Sequence, residues 1–202
     1  MAGRTGRPRG FDRDAALERA MLLFWERGYE TVSIRDLTEA MGITAPSLYA
    51  AFTDKRTLFE EAVEAYAHRY GGYIEEAVEA GSTARLAVRR LLEQAAVQHT
   101  LPDRPPGCLI LNGAADRTPA SEAVAANLRA RRARTAALIE ARIRADVACG
   151  ALPPETDAHA LATFSAGVWQ GLSRLARDGH GRQDLESVVA TAMRAWPPSG
   201  GE

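Results

Sequence analysis

Near its N-terminus this 202-residue chain has two short apolar segments on either side of a single glycine, Gly42. Ser33 stands three residues before Asp36, a spacing typical of the capping box that begins a helix. Thr44 can cap a second short helix, with Pro46 in the first turn, where its missing N–H costs little. Two short helices joined by a glycine-containing turn form a helix-turn-helix. We therefore predict an all-helical domain at this end of the chain.

The rest of the chain also has the pattern of helices. Apolar residues recur every three or four positions, and no stretch of useful length alternates apolar and polar residues, so we predict no sheet. A first helix with an apolar stripe from Leu17 to Phe24, which Gly28 ends, precedes the helix-turn-helix pair and makes a three-helix domain. Asp54 can cap a long fourth helix, whose apolar stripe extends to Ile74. The predicted divisions are a flexible basic arm (1–10), a helix-turn-helix domain (11–53), a larger helical body (54–196) and a frayed tail (197–202).

Charge is distributed unevenly along the chain. The formal net charge is −1, yet the first eleven residues carry Arg4, Arg7 and Arg9 and no acidic residue. A local basic segment is enough to contact nucleic acid, whatever the total charge. This arm either adds minor-groove or backbone contacts to DNA or is a disordered tail without a role.

The composition also bears on the compartment. No apolar segment follows the N-terminal arginines, as a signal peptide would require, and no apolar run approaches the roughly 20 residues that span a bilayer. Cys108 and Cys149 are the only cysteines, which argues against a disulfide scaffold and suits a reducing cytoplasm. We therefore expect a cytoplasmic protein without a membrane partner.

The second helix of the helix-turn-helix has one inward and one outward face. The inward contacts that fix the pair are Ile34, Leu37, Met41, Ile43, Leu48 and Phe52. The residues left to face outward are Ala45, Ser47, Tyr49 and Ala50. Small or polar residues at the N-terminal end of a recognition helix let it approach base edges, and its free N–H groups favour a phosphate. The pattern predicts binding to double-stranded DNA.

At these positions the chain resembles the TetR (tetracycline-repressor-like) family of transcription regulators. The resemblance covers roughly residues 11–60 and rests on the runs 28–37, 41–49 and 52–59, with Met41 in place of the alanine common before the turn glycine. It implies that the residues at the DNA are Ser33, Arg35, Thr44, Ala45, Ser47, Tyr49 and Lys55, with Ser33, Thr44 and Lys55 at phosphates. Taken alone, Tyr49 could instead be half-buried packing and Lys55 a solvated helix start.

For the body, the resemblance implies a ligand-binding and dimerisation domain. The candidate cavity residues, which combine apolar surface with polar tips, are Tyr66, Tyr70, Tyr73, His99, Phe164 and Trp169. The candidate dimer residues are Leu161, Val168, Leu172, Leu175, Val188 and Val189. Gly167 and Gly171, four residues apart, would allow a second helix to come close. Both sets could instead belong to an intramolecular core, although recognition of a palindrome-like operator normally requires a dimer.

The expected function is a homodimeric regulator, by family habit a repressor that an unknown small-molecule ligand releases from DNA. One alternative is a repressor that responds to oxidants or electrophiles through Cys108, although a buried, inert cysteine is the simpler interpretation. Others are an activator, or a helical module that has lost DNA binding. The four histidines have no metal-ligand spacing and no catalytic motif is present, so we expect no enzyme, cofactor or metal.

Overall fold

The computed structural model describes residues 11–113 and 121–197; the predicted arm (1–10) and all but the first residue of the predicted tail lie outside them. The described residues form ten α-helices and no strand, which confirms the all-helical prediction. In chain order these are α1 (Arg13–Arg27), α2 (Ile34–Met41), α3 (Ala45–Phe52), α4 (Lys55–Tyr70), α5 (Gly72–Ala80), α6 (Ala84–Gln98), α7 (Leu109–Asn112), α8 (Glu122–Ala148), α9 (Ala158–Arg177) and α10 (Arg182–Arg194). Within these ranges no helix is both long enough and apolar enough to cross a bilayer.

Each of the first four helices begins at a capping side chain. Asp12 and Ser33 accept backbone N–H groups of α1 and α2, and Ser33 forms the full capping box with Asp36. Thr44 caps α3, and Asp54 Oδ1 accepts from the Thr57 N–H of α4 at 2.7 Å. The predicted caps at Ser33, Thr44 and Asp54 are therefore confirmed. Since a cap satisfies N–H groups that the helix itself leaves unpaired, these short helices start at defined residues.

The single long helix predicted from Asp54 through Ile74 was wrong. The chain forms α4 and then α5, with Gly71 between them. A Cβ atom at Gly71 would lie 2.5 Å from the Ala67 carbonyl oxygen, so only glycine fits the backbone at this corner. The pair Gly71 and Gly72 was the available signal, because glycine weakens a helix interior.

Two hydrophobic cores hold the described residues together. The N-terminal core contains Met21, Phe24, Trp25, Leu37, Leu48, Phe52, Leu58 and Phe59, together with Cys108, Leu109, Val124 and Leu128 from later in the chain. The body core contains Val88, Leu91, Leu92, Ile139, Ile143, Trp169, Leu172, Leu185 and Val189. The N-terminal core thus extends across the domain boundary predicted at residue 53 and includes α7 and the start of α8. The helix-turn-helix is packed directly on the body.

Candidate nucleic-acid interface and body cavity

Two arginines of α1 fix the helix-turn-helix pair. Arg19 Nη1 donates to the Met41 carbonyl at 3.2 Å, at the C-terminal end of α2. Arg13 Nη2 donates to the Ala51 carbonyl of α3 at 3.3 Å and forms an ion pair with Glu61 of α4 at 2.6 Å. A cation at a helix C-terminus binds unpaired carbonyls and complements the helix dipole. These contacts set the angle at which α3 is presented.

The predicted DNA-contacting side chains lie at the surface. Ser33, Arg35 and Thr44 are exposed, Tyr49 is 49% exposed, and Ala45, Ser47 and Lys55 are partly exposed. The hydroxyls of Thr44 and Ser47 are 2.9 Å apart at the N-terminus of α3. The surface therefore presents hydroxyl, phenol, guanidinium and ammonium groups, all of which can donate to phosphate oxygens or base edges.

Tyr29 orients Lys55. The Lys55 ammonium lies 4.3 Å from the centroid of the Tyr29 ring, a cation–π contact. Partial burial lowers the pKa of Lys55, while the charges of Glu30 and Asp36 oppose that shift. The Tyr29 N–H donates to the Gly113 carbonyl at 2.7 Å, which links this pair to the residue that follows α7. Sequence reasoning missed Tyr29, because no spacing rule connects residues this far apart in the chain.

Thr53 makes the turn from α3 into α4. Its φ is +66°, and the Asp54 N–H donates to the Phe52 carbonyl at 2.7 Å, which closes a three-residue turn. A β-branched residue at positive φ is strained. The tight turn places Lys55, the first residue of α4, directly after α3.

A cavity of about 510 Å³ opens between α4, α5, α7, α8 and α9. Its apolar and aromatic lining includes Tyr66, Tyr70, Tyr73, Cys108, Ile110 and Trp169, and its charged rim includes Glu64, Glu75, Arg131 and Arg134. Of the predicted cavity residues, Tyr66, Tyr70, Tyr73 and Trp169 contribute to this lining. The volume is within the range of about 300–1,000 Å³ that is usual for small-molecule sites.

His99 and Phe164 do not line this cavity. His99 is buried at the end of α6, where its carbonyl accepts from the Gly107 N–H at 2.9 Å. Burial lowers the pKa of His99 to about 4, and neither ring nitrogen has a hydrogen-bond partner among the described residues. Phe164 is 41% exposed on the surface of α9. The sequence showed that both are aromatic residues on helices but not which way each faces.

The floor of the cavity is buried and uncharged. Trp169 Nε1 donates to the Tyr73 hydroxyl at 3.2 Å, and the Tyr66 hydroxyl interacts with the Cys108 thiol. Burial raises the pKa values of Tyr66, Tyr73 and Cys108. Cys108 is therefore a thiol rather than the nucleophilic thiolate at neutral pH.

Two contacts that sequence reasoning missed connect the body to the first and fourth helices. Arg131 of α8 forms an ion pair with Glu64 of α4 at the cavity rim. Arg177 of α9 donates to the carbonyls of Trp25 and Glu26 at the end of α1, both at 2.9 Å. Such long-range pairs leave no local pattern in a sequence.

The predicted dimer residues divide into two groups. Leu172 and Val189 are buried in the body core of the protomer itself, which corrects their predicted position at an interface. They lie on the inward faces of α9 and α10. The four that remain partly exposed are Leu161, Val168, Leu175 and Val188. A Cβ atom at Gly167 or Gly171 would meet nothing within 4 Å, so this face of α9 has open space beside it.

Comparisons with known proteins agree with this arrangement. The family model "Bacterial regulatory proteins, tetR family" matches residues 16–62, and the model "Tetracyclin repressor-like, C-terminal domain" matches residues 84–193. The chain is 36% identical to the transcriptional repressor ComR of Escherichia coli over 95% of its length and 92% of that protein. It is 28% identical to the repressor BdcR of the same organism, over 94% of this chain and 90% of BdcR.

A solved structure is similar over nearly the whole chain. It is a cysteine mutant of the TetR family regulator CifR, complexed with a 26-base-pair double-strand operator DNA. The identity is 46%, the TM-score is 0.90, and the match covers 95% of this chain and 100% of that one.

Proposed function

This chain belongs to the tetR family of bacterial regulatory proteins, and we propose that it is a homodimeric repressor that a small molecule releases from operator DNA. DNA-binding regulation is the function common to the relatives named above. ComR and BdcR are repressors, and CifR is a regulator bound to its operator. These relatives favour repression over activation for this chain.

The exposed N-terminal surface of α3 is the observation that carries the proposal. Arg13 and Arg19 hold α2 and α3 in a fixed orientation from behind. Ser47 and Tyr49 then face base edges, Thr44 and Ser33 bind phosphates through their hydroxyls, and Ala45 permits a close approach. Arg35 completes this surface, and Lys55 neutralises a phosphate from the start of α4.

Dimerisation is proposed for the exposed apolar face of α9. Phe164 and Val168 lie there with the two glycines, whose open sides would admit a helix of a second copy. Leu161, Leu175 and Val188 extend this face. Two-fold symmetry would then place two recognition helices on one side of DNA, about one helical turn or a multiple apart.

Release by a ligand requires a connection between the cavity and the DNA surface. Cys108 and Ile110 line the cavity at the start of α7, and Gly113, just after α7, binds the backbone of Tyr29. Tyr29 in turn holds Lys55. A ligand that binds more tightly when α7 is displaced would therefore weaken the phosphate contact. Its effect is limited to its difference in affinity between the two arrangements.

The burial of Cys108 argues against an oxidant or electrophile as the direct signal. Although Cys108 lines the cavity, it is buried from solvent and the pKa of its thiol is raised, whereas a reactive cysteine needs exposure and a lowered pKa. A bound small molecule remains the better-supported signal.

A salt titration tests the proposed DNA contact. The operator is first selected from a random DNA pool with the purified protein, and its affinity is then measured by fluorescence anisotropy. Lys55→Ala should weaken binding to all sequences similarly and should reduce the slope of log affinity against log salt by about one per half-site. Arg89→Ala, which removes an exposed charge from α6, is the matched control and should change neither quantity. An unchanged slope in Lys55→Ala would show that the contact is assigned wrongly.

A further inference from the structure

The hydroxyl of Tyr73 accepts one hydrogen bond and has a proton of its own to donate. An indole N–H can only donate, so in the 3.2 Å contact with Trp169 Nε1 the Tyr73 oxygen is the acceptor. No acceptor for the hydroxyl's own proton lies within hydrogen-bonding distance in the part of the chain that the structure describes. Because Tyr73 lines the cavity, a molecule bound there can accept the proton.

The charged groups at the rim do not favour an ion of either sign. Glu64 and Arg131 neutralise each other in an ion pair. Glu75 from α5 and Arg134 from α8 are exposed and of opposite charge. The rim is therefore formally neutral, and long-range attraction selects neither an anion nor a cation.

The floor of the cavity disfavours charge more strongly. Tyr66 and Cys108 are buried there and Tyr73 is partly buried, and burial raises the pKa of each, which means that the site penalises the anionic form. A ligand carboxylate at the same depth would suffer the same loss of hydration, which the charge of Arg132 offsets only in part at the Cys108 thiol. An uncharged group that accepts one hydrogen bond avoids this cost.

We propose that the cavity binds an uncharged, largely apolar molecule with one acceptor oxygen, and that this oxygen accepts a hydrogen bond from the Tyr73 hydroxyl. Tyr73 then determines specificity, and Tyr66, Ile110 and Trp169 supply the apolar and aromatic walls. The inference rests on the proposed role of the cavity as the ligand site, and it names the class of ligand and the residue that selects it.

Three probes of similar size test the class. Acetophenone carries a carbonyl oxygen, α-methylstyrene has a CH₂ group in its place, and benzoate carries a charge. Binding to the full-length wild-type protein at pH 8 is measured by isothermal titration calorimetry. Acetophenone should bind about tenfold more tightly than α-methylstyrene, since one hydrogen bond contributes up to about that factor. Benzoate should bind more weakly than acetophenone.

Two variants identify the donor. Tyr73→Phe removes the hydroxyl and keeps the ring, so acetophenone and α-methylstyrene should then bind with equal affinity. Tyr70→Phe removes another hydroxyl at the same cavity and should preserve the tenfold ratio. Circular dichroism and operator binding without a probe show that each variant is folded, and the comparison of probes on the wild type does not depend on any variant.

Several outcomes would overturn the proposal. Equal affinity of the wild type for acetophenone and α-methylstyrene, or benzoate as the tightest probe, would show that the class is wrong. The absence of binding of any probe at millimolar concentration would show the same. A tenfold ratio that survives in Tyr73→Phe would show that another group donates. These outcomes can be distinguished from a failure of the proposed DNA binding, because the Lys55→Ala salt titration tests DNA binding without any probe.

Discussion

The N-terminal helices α1 to α4 and the body differ in how closely side-chain caps and core packing define their structure. Helices α1 to α4 all begin at a capping side chain, and edge-to-face aromatic contacts fill their core, with Phe24 and Phe59 centroids 5.0 Å apart. In the body, α5 and α10 begin at glycines without a capping side chain. The body also contains the cavity. Among the described residues each region has a buried aromatic ring nitrogen without a hydrogen-bond partner, on Trp25 in the N-terminal core and on His99 in the body. The helices that position α3 are thus all capped by side chains, whereas capping in the body is mixed, since Thr83 and Asp157 do cap α6 and α9.

The largest expected effect is a cavity made in the N-terminal core. Phe24 is fully buried, so Phe24→Ala should lower the free energy of unfolding by about 3–5 kcal/mol. Leu138→Ala is the control from the body, because Leu138 lines the existing cavity and is already 37% exposed. Its cost should be below about 1 kcal/mol. Urea denaturation at neutral pH measures both, and similar costs would contradict the contrast between the two regions.

The next effect is a sensitivity of the body to acid. The pKa of His99 is about 4 in the folded protein against an ordinary value of 6.5, so the unfolded chain takes up a proton first as the pH falls. The free energy of unfolding should therefore be independent of His99 above pH 6.5. Between pH 6.5 and 4 it should fall by about 1.4 kcal/mol per pH unit.

Denaturation at a series of pH values, with two variants, isolates this histidine. His99→Leu should abolish its contribution to the slope, and His68→Leu, which changes an exposed histidine, should not. If His99→Leu keeps the wild-type slope, the acid sensitivity comes from another group.

The smallest effects concern the helix caps and should have opposite signs in the two regions. Asp54→Ala removes the cap of α4 and should cost about 1 kcal/mol, whereas Asp54→Asn should retain most of the stability. Gly181 precedes α10 with φ of −80°, and a Cβ atom there would meet nothing within 4 Å. Gly181→Asp should therefore add a cap and a few tenths of a kcal/mol. Thermal denaturation of all three variants checks this, and a loss of stability in Gly181→Asp would count against it.

Features that depend on residues close together in the sequence could be predicted, and features that depend on tertiary neighbours could not. The caps at Ser33, Thr44 and Asp54 depend on residues three positions apart, so they were predictable, and so was the exposure of Tyr49. The direction of Phe164 and Leu172 depends on which neighbours surround α9, and a helical stripe is equally compatible with a core and an interface. The pair Gly71 and Gly72 did carry a local signal for the break after α4. That signal was outweighed by an apolar stripe that continued across it.

The contacts between the N-terminal helices and the body could not be predicted, because no local pattern in the sequence indicates them. Tyr29 meets Gly113 through backbone atoms, which any residue possesses. Arginines are abundant in this chain, so nothing distinguished Arg177 or Arg131 from their neighbours before the fold was known.

Arg177 also limits which segments of this protein can be exchanged with those of another regulator. Its guanidinium closes the end of α1 from a position 152 residues further along the chain than Trp25. A chimera that joined residues 11–53 to the body of another regulator, to place a new operator under a different inducer, would leave the Trp25 and Glu26 carbonyls without this donor. Such a graft would need an arginine at the matching position of the receiving scaffold, together with a backbone carbonyl opposite the Tyr29 N–H. The exchangeable unit for engineering is therefore the helix-turn-helix with its receiving surface on α7 and α9, and not the N-terminal segment alone.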